Sequence, residues 1–161
     1  IRSRSNCPPG DDYHHSHDFY LETDMNAKEI AKLAQATLNG SMPFPEIVGK
    51  LIANDVEYYH VDYTLGSFSF YSATGAVVTA PLVFEGLPPI AEHFDAAALK
   101  AAILDSQQHG QKFRAFCERA VKAGVQSYFA FLRGKRVIYF GRQGDQHTEW
   151  FPGARPSEVS Q

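Results

Sequence analysis

The chain has 161 residues, enough for one domain that buries most of its apolar surface, and aromatic residues make up 13% of it. The formal net charge is -3 and no segment concentrates Lys and Arg, which argues against a nucleic-acid partner. No apolar run is long enough to cross a bilayer and no signal-peptide pattern is present, so we expect no membrane partner. The absence of a CxxC pair fits a cytoplasmic protein.

Residues 1–24 differ in composition from the remainder of the chain. They are polar, contain Pro8-Pro9-Gly10, and show neither helical nor strand periodicity. A clear helical pattern starts at Met25, which we take as the native start. We therefore interpret residues 1–24 as a leader that is tag-like or an over-extended start, and we do not treat its His14, His15 and His17 as a metal site.

The chain from Met25 to Gly75 predicts two helices followed by two strands. Asn26 and Glu29 have the spacing of a capping box, and Pro45 suits the first turn of a second helix. The stretch "NDVEYYHVDYTLGSFSFYSATG" then alternates apolar and polar residues around a turn, which is typical of a β-hairpin. The segment "AVVTAPLVF" that follows is a candidate third strand.

The second half of the chain repeats the first at a spacing of 69 residues, after the linker "EGLPPIAEH". The register holds through two helices and two strands, with the turn glycine shifted by one residue, and "DQHTEWF" supplies another candidate strand. Equivalent pairs include Asn26 and Asp95, Ile30 and Leu99, Phe44 and Phe113, Val56 and Val125, Tyr59 and Tyr128, Phe70 and Tyr139, and Gly75 and Gly144. This pattern indicates an internal duplication.

The duplication predicts an α+β fold in which two tandem helix-helix-strand-strand repeats pack about a pseudo-two-fold axis. Neither repeat is long enough to close a core alone, so we expect one domain over residues 25–152, with repeats at about 26–80 and 95–150. Residues 153–161 are then a C-terminal tail. The sheet should be mainly antiparallel with helices on one face. Cys117 lies in a predicted amphipathic helix, which favours a small core residue.

The stretch "GQKFRAFCERAVKAGVQSYFAFLRGKRVIYFGRQG" resembles the YbcV-like family of uncharacterised proteins, often labelled phage envelope protein. The resemblance is carried by the following positions: Ala123, Gly124, Val125, Tyr128, Tyr139, Gly141 and Gly144. It covers most of residues 25–152 and implies a small bacterial or prophage-associated protein of unknown activity. Because these residues are turn glycines and strand aromatics, the resemblance supplies no catalytic residue.

Candidate binding residues come from the difference between the two hairpins. The first carries Tyr58, His60 and Asp62 where the second carries Ser127, Phe129 and Phe131. His60 and Asp62 share one strand face, and His147 and Glu149 share one face of the last predicted strand. Convergence of these four side chains would suit zinc or another divalent metal.

A solvated sheet face also explains these four polar residues, and no HExxH or phosphate-binding loop supports an enzyme. We therefore expect no cofactor and favour a non-enzymatic binding or interaction module, with a protein, a small molecule or a second copy as partner. The alternative is a small metal-dependent protein or enzyme that uses the His and carboxylate cluster. Trp150-Phe151-Pro152 is interpreted as a seal at the core edge, with an interface anchor as the alternative.

Overall fold

The structure, a computed structural model, describes residues 25–157, so the leader interpretation concerns residues outside this range. The described part contains four helices and six strands that follow the predicted order. The elements are α1 (Ala27–Asn39), α2 (Phe44–Ala53), β1 (Val56–Asp62), β2 (Ser67–Ser72), β3 (Val77–Pro81), α3 (Ala96–His109), α4 (Phe113–Lys122), β4 (Val125–Phe131), β5 (Arg136–Gly141) and β6 (Gln146–Trp150).

The helix starts follow from local capping chemistry. The side-chain oxygen of Asn26 accepts a hydrogen bond from the backbone N–H of Glu29, and Asp95 accepts one in the same way from Ala98. Pro45 lies in the first turn of α2, where its missing N–H costs nothing. The predicted beginnings of these helices are confirmed, and α1 and α3 start at equivalent positions of the two repeats.

The six strands form one antiparallel sheet in the order β3-β2-β1-β4-β5-β6. The two repeats meet where β1 pairs with β4, and His60 there pairs directly with Phe129. These two residues are 69 positions apart and therefore equivalent, so the pseudo-two-fold axis passes between them. The predicted α+β fold of two repeats is confirmed.

The helices pack on one face of this sheet and the core lies between the two layers. Alternate strand residues point into it, as predicted for Tyr59, Val61, Tyr128 and Ala130, and Cys117 of α4 is fully buried there. The largest fully buried side chains are those of Ile30, Leu51, Leu99, Val61, Val121, Val125 and Cys117. One face of the sheet therefore packs against the helices and forms the core.

The two repeats follow the same backbone path even where their residues differ. Gly66 and Lys135, which are 69 residues apart, both have positive φ angles, of 69° and 54°. The backbone register thus continues through the hairpin turn, and the shift expected from the sequence affects only the position of the glycine. Asp55 and Gly124 are likewise equivalent, with φ angles of 63° and 89° at the ends of α2 and α4.

Candidate functional site

The second face of the sheet, which we call the open face, lies away from the four helices. Its members alternate with the core residues along every strand and most are partly exposed. They are Tyr58, His60, Asp62, Ser67, Ser69, Tyr71, Val77, Thr79, Pro81, Ser127, Phe129, Phe131, Arg136, Ile138, Phe140, Gln146, Thr148 and Trp150. The open face therefore presents bulky aromatic side chains at positions where a solvated sheet would carry polar ones.

Five of these side chains form a continuous aromatic strip across β2, β1, β4 and β5: Tyr71, Tyr58, Phe131, Phe129 and Phe140. The ring of Tyr58 stacks on Tyr71 with 4.7 Å between centroids, and lies 5.7 Å from the ring of Phe131. Phe129 continues the strip at 5.8 Å from Phe131 and meets Phe140 edge-on at 6.4 Å. Such offset and edge-to-face contacts stabilise each ring pair while leaving its outer surface exposed.

His60 lies beside the aromatic strip, at the pseudo-two-fold axis. Its ring stacks on Phe129 with 4.2 Å between centroids. Partial burial lowers the pKa of His60, and the nearby negative charge of Asp62 opposes this shift without cancelling it. The imidazole is therefore predominantly neutral at neutral pH, which suits an apolar surface better than a charged ring would.

The Asp62 carboxylate stabilises the turn that follows β1. Its Oδ1 accepts hydrogen bonds from the backbone N–H groups of Thr64 and Leu65, at 2.9 and 2.8 Å. The side-chain amide of Gln126 donates a third bond to the same oxygen at 3.0 Å. This carboxylate thus fixes the β1–β2 turn in an Asx arrangement and makes no hydrogen bond to the His60 imidazole.

His147 and Glu149 lie on the opposite face of the sheet. They pair with Tyr139 and Val137, which point into the core, and His147 Nε2 lies 3.0 Å from Glu149 Oε2. β6 is separated from β1 by β4 and β5, a distance of roughly 14 Å at the usual strand spacing. The side chains of His60, Asp62, His147 and Glu149 therefore do not converge, since the two pairs occupy different faces and distant strands.

The structure thus does not bring together the four candidate ligands of the alternative metal site. Within residues 25–157, no group of three or more His, Cys, Asp or Glu side chains is arranged to hold a metal ion. The alternative of a metal-dependent protein required that these four side chains meet, and the sheet keeps them apart.

The Cys117 thiol and four tyrosine hydroxyls lie under the helices, where burial raises their pKa and disfavours their charged forms. The hydroxyl of Tyr63 lies 3.4 Å from the Cys117 sulfur, and burial raises the pKa of this thiol to about 12. Burial likewise raises the pKa of Tyr59, Tyr128 and Tyr139. A thiol with such a pKa stays protonated at neutral pH and is a poor nucleophile, as its inward position in the sequence pattern suggested.

Sequence reasoning missed part of the open face. It selected Tyr58 but not Tyr71, Phe140 or Arg136, although alternation along β2 and β5 placed all three on one side. The Arg136 guanidinium lies 4.8 Å from the centre of the Trp150 ring. Trp150 therefore belongs to the open face, whereas the adjacent Phe151 packs against the core.

These features define a duplicated α+β protein with an aromatic sheet face away from its helices. The chain belongs to the family described as protein of unknown function (DUF1398), whose model matches residues 28–148. A comparison with curated proteins gave no match. Among residues 25–157, none of the helices has the length and apolar character needed to span a membrane.

Proposed function

We propose that this protein is a non-enzymatic interaction module that binds a partner protein through its open face. The observation that carries the proposal is the aromatic strip, which lies on the sheet face away from the helices. Aromatic residues are enriched in protein interfaces and supply large contact areas there. Their concentration on the open face is therefore better explained by a partner than by contact with water alone.

The size of the open face supports a protein partner. Six strands span roughly 29 Å and five residues of strand about 17 Å, so the face covers about 500 Å² before side-chain relief is added. A standard protein interface buries about 800 Å² on each partner. The open face and its rim can supply most of such a contact.

The charges of the open face favour a protein over a nucleic acid or a small molecule. Within this face, Arg136 supplies a cation that already rests on Trp150, and Asp62 supplies an anion that is bound by its own turn. Nucleic-acid binding requires several cations that follow the phosphates. The strip also extends across four strands, whereas small-molecule sites are concave and enclose most of their ligand.

The resemblance to YbcV-like proteins is compatible with this proposal but adds no chemistry to it. Its positions, such as Gly124, Tyr128 and Gly144, shape turns and the buried face of the sheet rather than the aromatic strip. The phage label therefore does not select a partner.

Photocrosslinking tests the proposal. A photoreactive phenylalanine analogue replaces Phe131 on the open face or, as a matched control, Phe44 on the helix side, a residue that is 51% exposed. Irradiation in the native cell should give a discrete crosslinked protein from position 131 and none from position 44. That protein is then identified, purified and titrated against the unmodified chain and the variant Tyr58→Ser.

A tenfold or greater loss of affinity in Tyr58→Ser is expected, because Tyr58 contacts three other rings of the open face. Crosslinking to a second copy would identify the partner as this chain itself and would still support an interaction module. Equal crosslinking from positions 131 and 44, or an affinity unchanged by Tyr58→Ser, would contradict the proposal.

A further inference from the structure

The outer edge of β6 carries a second inference, which does not depend on the proposed function of the open face. We propose that two copies of the chain pair through antiparallel β6 strands, with the two-fold axis at Thr148. The two six-stranded sheets then form one continuous sheet. The inference rests on hydrogen-bonding direction, side-chain complementarity and a comparison with the opposite edge.

The hydrogen-bonding direction follows from the β5–β6 ladder. Gly141 N–H donates to the Asp145 carbonyl at 2.8 Å, and Phe151 N–H donates to the Lys135 carbonyl at 2.9 Å. Bonded and non-bonded pairs alternate in an antiparallel ladder, so the odd-numbered residues of β6 bond to β5. The N–H and C=O groups of the even-numbered residues Gln146, Thr148 and Trp150 consequently point away from the sheet.

A two-fold axis at Thr148 matches all of these outward groups. Thr148 then lies opposite Thr148 of the second copy, and Gln146 lies opposite Trp150 of the second copy. Each outward N–H therefore meets an outward C=O, with no group left over. The pairing register is symmetric about Thr148, because β6 has five residues and Thr148 is the middle one.

The side chains fit the same register. His147 lies opposite Glu149 of the second copy, so an imidazole faces a carboxylate on both sides of the axis. These are the non-bonded pairs of the new ladder, in which opposing side chains approach most closely. Each copy already places His147 Nε2 3.0 Å from its own Glu149 Oε2, and pairing would join the two dyads into one polar cluster. Thr148 opposite Thr148 is likewise a favourable cross-strand pair.

The opposite edge of the sheet, at β3, does not offer this register. Pro81 occupies the position equivalent to Trp150 and has no N–H to donate. In addition, α1 packs beside β3 more closely than α3 approaches β6. Proline and helical cover are usual protections of an edge strand against pairing. Among residues 25–157, the first repeat therefore protects its edge strand in these ways and the second does not.

The fold already contains a junction of this kind. β1 and β4 pair antiparallel about a pseudo-two-fold axis that passes between His60 and Phe129, with the helices of both repeats on the same side. Pairing through β6 would repeat this operation between copies. Both helical layers would again lie on one side, and the two open faces would adjoin on the other.

Sedimentation and amide exchange test the proposal with a matched pair of variants. Thr148→Pro removes the central outward N–H of β6 without removing a bond to β5, and Thr79→Pro does the same at the equivalent position of β3. The native chain and Thr79→Pro should sediment as dimers, whereas Thr148→Pro should be a monomer. Exchange of the Gln146, Thr148 and Trp150 amides in the native chain should slow as protein concentration rises.

Three results would overturn the proposal. One is a native chain that stays monomeric at the concentrations used for NMR. The second is a folded Thr148→Pro that remains a dimer. The third is a dimer that Tyr58→Ser dissociates while Thr148→Pro does not, which would assign self-association to the open face instead.

If Thr148→Pro fails to fold, Thr148→Cys in a Cys7→Ser background decides the question. Bonded antiparallel partners have Cα atoms about 5.5 Å apart, within the range of a disulfide. Mild oxidation should give a covalent dimer from Thr148→Cys and none from Thr79→Cys. Equal crosslinking of the two variants would contradict pairing through β6.

Discussion

The two repeats share one backbone path but differ in what they present to solvent. In the core, Tyr59 and Val61 match Tyr128 and Ala130, because both repeats pack their strands against a helical layer. On the open face and the outer edges most equivalent residues differ, as in these pairs: Tyr58 and Ser127, His60 and Phe129, Asp62 and Phe131, Pro81 and Trp150. Packing thus constrains the shared half of each strand, and binding is expected to reside in the half that differs.

The largest effect should come from the helix-strand junctions, where Gly124 is equivalent to Asp55. A Cβ on Gly124 would lie 2.9 Å from the Cα of Phe94 and would also meet the backbone carbonyl of His93. We expect Gly124→Ala to lower the free energy of unfolding by about 3 kcal/mol or more, since backbone must move. Asp55→Ala should cost about 1 kcal/mol at most. Urea unfolding measures the stability of both variants. Equal losses of unfolding free energy would show that the two junctions do not differ in their need for glycine.

Tyr58→Ser gives the first repeat the residue of the second, Ser127. Removal of the Tyr58 ring contacts should lower the free energy of unfolding by about 2 kcal/mol. The variant should remain folded because the core face is untouched, as near-UV and far-UV circular dichroism can check. A loss of cooperative unfolding would mean that the aromatic strip is needed for the fold itself.

Asp62→Ala tests the turn that distinguishes the first hairpin from the second. Three donors lose their acceptor, but they are largely exposed and can bind water, so the expected loss is about 1 kcal/mol of unfolding free energy. Asp62→Asn keeps Oδ1 and should lose less than half of this amount. Thermal or urea unfolding of the two variants side by side gives the comparison, and identical losses would argue against the Asx turn.

His60→Phe introduces the residue of its equivalent, Phe129, and should have the smallest effect. The pKa of folded His60 is below its ordinary value of 6.5, so the unfolded chain binds the proton more tightly. The stabilisation from neutral His60 is therefore fully present above pH 6.5 and declines as the pH falls below it. His60→Phe should remove the part of the acid-induced loss of stability that His60 causes. Unfolding free energies measured above and below pH 6.5 can show this. An unchanged pH dependence would contradict the burial of His60.

The sequence was sufficient for the fold but not for the site, for a physical reason. Helical spacing and the 69-residue repeat specify elements that bury their own apolar residues, as Tyr59 and Tyr128 do. Alternation also shows which residues of one strand share a face. Alternation does not give the order of the strands in the sheet. In β6 both faces carry polar residues, so alternation could not show that His147 and Glu149 point toward the helices. The proposed pairing register of β6 follows from the hydrogen bonds between β5 and β6, and these are known only once the two strands are seen paired.

Side-chain footprinting by hydroxyl radicals tests the role of the open face most directly. Tyr58, Tyr71 and Phe131 should be oxidised readily in the dilute purified protein and protected in the native cell. Phe44 and Leu104, about half exposed on the helix side, should be oxidised similarly under both conditions. Equal oxidation of the aromatic strip in both conditions would contradict a partner on the open face.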